Sequence, residues 1–407
     1  MRILYICDEY PPGKNGGIGT MVQMMARQMV SSGHSVTVIG LYEYAYGSQD
    51  FEIDEGVEVH RLRYAYNFKD GSLLLRIYKK LPRHLKRLLI GKQVITNYVN
   101  QVQAIVKDKK IDIVEIADWS SLSFETGIGI EWPQFDCAML VKLHGSYTYF
   151  QTELKQRIVP QLFENDDRLL KRADAIASVS AYTAERTRNL FDLQGPIKVL
   201  HNAIAVPPLN ETRKVNSTDV FFSGSLVPKK GIYQLMKAWN MVIEKKPDAR
   251  LWVYGKGPIN GLKALLKPAV LPSVNFEGHV SRLALMDRLS NSALAVFPSY
   301  SETFGLMCIE AMSMACAVIY TKRSCGPEII TDGVDGALVD PDNVHEIAEK
   351  ILALLSDHAL RKKYAENGYQ TLGKRFSIEK SEQDHVAFYE ALIQAYTMKQ
   401  KNFNFTT

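Results

Sequence analysis

The stretch "VFFSGSLVPKKGIYQLMKAW" occupies residues 220–239. Four short features follow one another in it. "VFF" is a compact apolar run, the mark of a strand buried on both faces. "SGS" breaks it with a glycine, and "PKKG" supplies two lysines in a loop. The apolar spacing then changes to that of a helix running over about 231–245. A buried strand, a glycine loop and a helix make half of a βαβ unit.

The same alternation extends in both directions. Upstream, "RILYIC" (2–7), "SVTVIG" (35–40), "VEVHRL" (57–62), "IDIVEI" (111–116), "AMLVKL" (138–143) and "AIASVS" (175–180) read as strands. Helical patterns cover 20–32 and roughly 73–107. Downstream, "RLWVYG" (250–255), "VNFEG" (274–278), "LAVFPS" (294–299), "AVIYT" (317–321) and "GALVD" (336–340) continue the series, with a helix over 304–316. Strands that alternate with helices predict parallel sheets covered on both faces. The alternation stops at "HNAIAVPPLNETRKVNSTD" (201–219), which reads as a linker. The expectation is an α/β chain of two doubly wound, Rossmann-like domains facing a cleft. They span 1–205 and 206–376, and a C-terminal helix over 377–407 returns to the first.

The composition suits this. The chain has 407 residues, 46% hydrophobic and 23% charged, with a net charge of +5. That balance is ordinary for a globular protein and too weak to point to nucleic acid. Five scattered cysteines without a CxxC pair exclude a disulfide framework or a zinc site and suit a reducing compartment. "MRILYICDEYPPG" reads as a first strand, not a signal peptide, and no apolar run reaches spanning length.

In open α/β sheets, ligands bind beyond the carboxyl ends of the strands. Four loops there carry chemistry. "SYSETFGLMCIEA" (299–311) places Glu302 and Glu310 eight residues apart, with a helix expected to start at Thr303 or Phe304. Free amides at that helix end suit a diphosphate. A carboxylate on either side accepts from vicinal hydroxyls, and Glu310 lies roughly 9–12 Å further along. Sugar, diphosphate and ribose have that layout. The alternative is a helix cap and a solvated face, which the apolar neighbours of Glu310 disfavour. In the second loop, Lys230 is placed to neutralise a phosphate, against the alternative of a surface lysine pair. In the third, "EYPPGKNGGIGTM" (9–21), Gly16 and Gly17 lie between strand and helix without the dinucleotide spacing. In the fourth, "KLHGSY" (142–147), His144 ends a buried strand. A lone histidine there is otherwise a packed structural residue.

Taken together these segments resemble the retaining GT-B glycosyltransferases of the E-x7-E type, similar to glycosyltransferase family 4. "PSYSETFGLMCIEAMS" carries the signature, and "GSLVPKKG", "VYGKGP", "FEGHV", "GPEIITDGVDGALVDPDN" and "FSIEKSEQDHVAFYEALI" stand in matching order. The resemblance spans nearly the whole chain. It implies that Glu302 holds sugar hydroxyls and Glu310 the ribose. Amides of Phe304, Gly305 and Leu306 take sugar and phosphate oxygens, and Lys230 contacts the diphosphate. Gly16 and Gly17 lie near the donor phosphate, Val280 offers backbone atoms to the base, and His144 lies by the reacting sugar. Asp118 and Tyr147 are assigned to the acceptor.

The implied reaction moves a hexose from a UDP- or GDP-sugar to a hydroxyl, without metal or other cofactor. Ser225 stands where the family usually has Arg. Either Lys229 substitutes, or donor binding is weaker, or activity is lost. A catalytically inactive nucleotide-sugar-binding subunit is therefore one alternative, and a sugar-nucleotide epimerase of the same architecture another. A dehydrogenase is disfavoured because no dinucleotide fingerprint follows either first strand.

"LLLRIYKKLPRHLKRLLIGK" (73–92) carries seven basic residues and no acidic one, with leucines at helical spacing and Pro82 inside. It reads as a helix for an anionic membrane surface. The alternative is a core helix with solvated charges. The expectation is a cytoplasmic enzyme, peripheral on the inner face of the cytoplasmic membrane, acting on a lipid-linked glycan.

Overall fold

The structure is a computed structural model. It describes the chain apart from residues 13–15, 44–45, 47, 65–71, 83, 87–91, 210–214 and 405–407. Two compact units are present. One comprises 1–179, 183–201 and 381–407, the other 180–182 and 202–380.

The first unit holds an eight-stranded sheet in the order β3-β4-β2-β1-β5-β6-β7-β8. Its strands are β1 (Arg2–Ile6), β2 (Ser35–Glu43), β3 (Phe51–Asp54), β4 (Val57–Tyr64), β5 (Ile113–Ala117), β6 (Ala138–Leu143), β7 (Ala175–Ser178) and β8 (Lys198–Val199). All pairings are parallel except β3 with β4. The strand order reverses between β1 and β5, so a crevice opens beyond their carboxyl ends.

Near-continuous apolar runs put this sheet in the core. Ile3, Leu4, Val114, Leu140 and Val141 are fully buried. Two polar side chains of the sheet reach the closing helix Ile378–Asn404. Lys142 Nζ donates to His385 Nε2 (2.6 Å), and Tyr389 donates to Glu115 Oε2 (2.5 Å). All four groups are buried. Burial holds His385 well below its usual value and lowers Lys142, which fits a neutral imidazole accepting from the amine.

The second unit holds a six-stranded sheet, all parallel, in the order β11-β10-β9-β12-β13-β14. These are β9 (Asn216–Ser223), β10 (Arg250–Tyr254), β11 (Val274–Gly278), β12 (Ser292–Phe297), β13 (Ala317–Thr321) and β14 (Ala337–Val339). The order reverses between β9 and β12. Those two strands precede the lysine loop and the two-glutamate loop.

Several sequence expectations shift. The linker over 201–219 ends in strand, because β9 begins at Asn216. Ile204 pairs with Ser377 within it, and 210–214 lie outside the described residues. The pattern over 73–107 resolves into helices Leu73–Lys80 and Lys92–Asp108. Leu81 ends the first with an extended backbone, as expected of the residue before Pro82. Arg83, Arg87, Leu88 and Leu89 lie outside the described residues.

Candidate functional site

The helix with the second glutamate starts later than expected, at Leu306, and runs to Ser313. Gly305 is the reason. It caps the helix in the left-handed region (φ 84°), which glycine adopts without strain. A Cβ there would stand 1.8 Å from the Tyr320 hydroxyl. Phe304 is buried against Phe376, with ring centroids 5.6 Å apart. The chain therefore turns at Phe304–Gly305, and the first-turn amides, from Leu306, have no intrahelical acceptor.

Glu302 lies in the loop after β12 and is well shielded. Lys230 Nζ donates to its Oε1 (2.7 Å), as does Ser299 Oγ (2.8 Å). Its own N–H donates to Ser324 Oγ (3.1 Å). Burial pushes the carboxyl up, but Lys230, Ser299 and Lys229 outweigh burial, and the pKa falls below its usual value. Glu302 is therefore a carboxylate at neutral pH. The stability its pairing contributes is present above the ordinary carboxyl range and is lost as pH falls through the lowered value.

Lys230 reaches Glu302 from a single 3-10 turn, Pro228–Lys230, after β9. Gly231 then reverses the chain at φ 69° and caps helix Ile232–Lys245. A Cβ on Gly231 would meet the Pro298 carbonyl oxygen at 1.8 Å. The lysine loop is thus pressed onto the end of β12, and Tyr300 N–H donates to Lys229 O (2.8 Å). Burial, then the neighbouring Lys230, lowers Lys229 to about 8. Ser225 is exposed.

Glu310 is only 5% exposed, so it is not on a solvated face. Arg282 Nη1 pairs with its Oε1 at 2.5 Å. Burial raises this carboxyl, and Arg282 opposes the rise. Nothing in the sequence singled out Arg282. It opens helix Arg282–Asn291, two residues after Val280, on the loop that leaves β11. The second unit thus brings Lys230 to Glu302 and Arg282 to Glu310 as two separate pairs.

In the first unit, His144 follows β6 and is buried. Its N–H donates to Asp118 Oδ1 (2.7 Å), and Gly145 N–H to Asp118 Oδ2 (3.1 Å). Both oxygens of Asp118 are therefore engaged in shaping the loop. Burial, then Lys142, lowers His144 to about 3, so the imidazole is neutral. The Tyr147 ring lies against Phe124 (4.8 Å between centroids) and Trp119 (6.4 Å).

The glycine loop has a partner that sequence reasoning missed. Burial raises the Glu9 carboxyl, and the nearby amides of Gly19 and Gly16 oppose the rise. A Cβ on Gly16 would stand 2.5 Å from Glu9 Oε2, and one on Gly19 1.8 Å from the Glu9 carbonyl. The Glu9 carboxylate thus lies beside the amino end of helix Gly17–Ser31.

Among the described residues, no group of three or more His, Cys, Asp or Glu is arranged to hold a metal ion. No described helix is long and apolar enough to cross a membrane.

Comparison with known proteins fits this geometry. Residues 15–206 match the family model Glycosyltransferase Family 4, and residues 210–371 match Glycosyl transferases group 1. Each model falls largely on one unit. The chain is similar to glycogen synthase of Mycobacterium tuberculosis (strain CDC 1551 / Oshkosh), 24% identical over 397 residues that cover 92% of this chain and 91% of that one. Among solved structures it is similar to sucrose-phosphate synthase from Thermosynechococcus elongatus, with TM-score 0.76 and 18% identity over 97% of this chain and 99% of that one. It is also similar to Anabaena HepE in complex with UDP and glucose, with TM-score 0.66 and 16% identity over 96% of this chain and all (100%) of the other. The chain is a glycosyltransferase of the GT-B fold.

Proposed function

We propose that this protein is a retaining hexosyltransferase that uses a UDP- or GDP-hexose and needs no metal. The observation that carries this is the Lys230–Glu302 contact, placed where the second sheet reverses its strand order. A leaving diphosphate needs cationic and N–H donors aimed at its developing charge. Lys230 and the amides after Gly305 supply them. Glu302, held ionised, accepts from sugar hydroxyls, and Glu310 accepts from the ribose. Val280, Phe304 and Leu306 contribute backbone atoms. Lys229, half-buried beside Lys230, is the nearest replacement for the cation that Ser225 lacks.

His144 is neutral, so it positions the sugar, and the leaving phosphate takes the acceptor's proton. Gly16 and Gly17 are assigned to the donor phosphate. The structural neighbour HepE, solved in complex with UDP and glucose, supports a nucleotide-sugar donor.

The acceptor proposed is a lipid-linked glycan. In helix Leu73–Lys80, Leu75 and Tyr78 are buried, whereas Leu73, Leu74 and Ile77 are 72%, 61% and 50% exposed beside Arg76, Lys79 and Lys80. Exposed leucines with lysines suit an anionic bilayer surface. Lys86 departs from this reading, because it is buried over the Tyr78 ring.

Release of UDP or GDP from a panel of nucleotide hexoses, in excess EDTA, tests the reaction. Turnover of one donor is expected, and activity restored only by Mg²⁺ or Mn²⁺ would contradict the metal-free part. Sedimentation with anionic and neutral liposomes tests the surface. Binding to anionic vesicles that falls when Lys79 and Lys80 become Ser is expected, and equal negligible binding to both would refute it.

A further inference from the structure

Ser324 carries a backbone conformation that serine rarely adopts. Its φ is 50°, in the left-handed region. Other non-glycine residues at positive φ have ordinary settings. Glu55, Lys110, Lys155 and Asp192 are exposed turn residues, and Ala315 lies just past the end of helix Leu306–Ser313, where such a residue is common. Ser324 is half-buried in the turn between β13 and the short helix Gly326–Ile329. A side chain at such a φ has a steric cost that glycine avoids.

The turn is fastened at both ends, which holds the serine in place. Lys322 N–H donates to Val339 O (2.9 Å), and Gly326 N–H donates to Arg323 O (3.1 Å). Arg323 N–H donates to Thr321 Oγ1 (3.1 Å). A Cβ on Gly326 would meet the Thr321 carbonyl oxygen at 1.8 Å, so the turn closes tightly on its strand. Arg323 Nη2 donates to Asp340 Oδ1 (2.8 Å) and Asp342 Oδ2 (2.5 Å). The Tyr300 hydroxyl donates to Asp342 Oδ1 (2.7 Å). Tyr300 stands two residues before Glu302, so the turn and the glutamate loop share one carboxylate.

Ser324 supplies a second link between them. Its Oγ accepts from Glu302 N–H (3.1 Å). Lys230 and Ser299 hold the Glu302 side chain through Oε1, whereas Ser324 holds its main chain. A glycine at 324 would relieve the backbone but bring no oxygen. An alanine would keep the strain and bring no oxygen either. Strain kept in order to deliver one hydrogen bond to a loop that must be placed accurately is a mark of a functional position.

We infer that Ser324 is a positioning residue for the transfer: it holds a left-handed backbone so that its hydroxyl oxygen fixes the Glu302 main chain, and through it the carboxylate assigned to the transferred sugar. The inference rests on the transferase reading above and adds to that site a residue from the loop after β13.

Two variants separate the strain from the oxygen. Ser324→Gly removes both, and Ser324→Ala removes the oxygen alone. Each is measured by steady-state kinetics, with the donor turned over in the release panel, and by urea unfolding. Both are expected to lower kcat by about tenfold, the size of one hydrogen bond expressed as a rate. Donor KM is expected to stay within about twofold, as for a contact that matters in the transition state. The urea midpoint is expected to fall for Ser324→Ala and to stay near wild type for Ser324→Gly, because relief of the turn offsets the lost bond. A merely structural serine makes kcat follow the midpoint, so Ser324→Gly would then be as fast as wild type. That result, equal falls in the two midpoints, or a raised donor KM with kcat unchanged would overturn the inference. Glu302→Ala measured beside them separates the two claims. Wild-type kcat in Glu302→Ala, or no turnover of any donor by the wild type, removes the transferase reading and this inference with it. An impaired Glu302→Ala beside a Ser324→Gly with wild-type kcat removes the inference alone.

Discussion

Glu310 shows how one residue's environment decides its use. A carboxyl this buried drifts toward its neutral form, in which it is a poor acceptor for two ribose hydroxyls. Arg282, itself 56% exposed, is the group that opposes the drift. It pairs with Oε1. Arg282→Ala is therefore expected to raise the donor KM most on the acid side. Removing the cation moves the Glu310 value further up, so the rise in KM begins at higher pH than in the wild type. Arg282→Lys restores much of the profile. Superimposable KM–pH curves for wild type and Arg282→Ala would show that Arg282 does not tune this carboxyl. Arg282 was not legible in the sequence, because an arginine opening an amphipathic helix looks like any solvated charge. Only the fold brings it to a residue 28 positions further on, the separation of 282 and 310.

At the scale of elements, the turns that carry the donor groups depend on glycines. Gly305 and Gly231 both sit at positive φ with a neighbouring oxygen 1.8 Å from a would-be Cβ. Gly305→Ala combines left-handed strain with a clash against Tyr320, a buried core residue. A loss of about 1–3 kcal/mol or more in urea unfolding is expected. A change within about 0.5 kcal/mol would show that the turn relaxes freely. The strands around these turns were legible because buried parallel strands are compact apolar runs. Their ends were less so. Helix Leu306–Ser313 starts two residues past Phe304, since neither spacing nor composition reveals which residue takes the left-handed turn. Strand β3 was missed altogether. "FEID" is four residues long, and Phe51 and Ile53 are 51% and 57% exposed, so no buried run marks it. The glutamate that closes the glycine loop was hidden for a similar reason, because Glu9 stands before a Pro-Pro turn that reads simply as loop.

For the whole molecule, the closing helix carries a buried polar contact set into the first unit. Tyr389 donates to Glu115, and Tyr5 lies 3.3 Å from the Tyr389 hydroxyl. Tyr389→Phe keeps the ring and removes the donor. It leaves Glu115 buried beside β1 and β6 with less satisfaction, at a cost of about 1–3 kcal/mol. Chemical denaturation measures it, and an unchanged midpoint would mean that Glu115 finds another donor.

The central claim is that the second unit binds a nucleotide sugar with Glu310 on the ribose and Glu302 on the transferred sugar. Steady-state kinetics of Glu310→Ala and Glu302→Ala with the donor found by the release panel tests it most directly. Contacts made equally in ground and transition states change KM, and those strengthened in the transition state change kcat. The account predicts a raised donor KM for Glu310→Ala and a lowered kcat for Glu302→Ala. Near wild-type kcat/KM in both variants would contradict it.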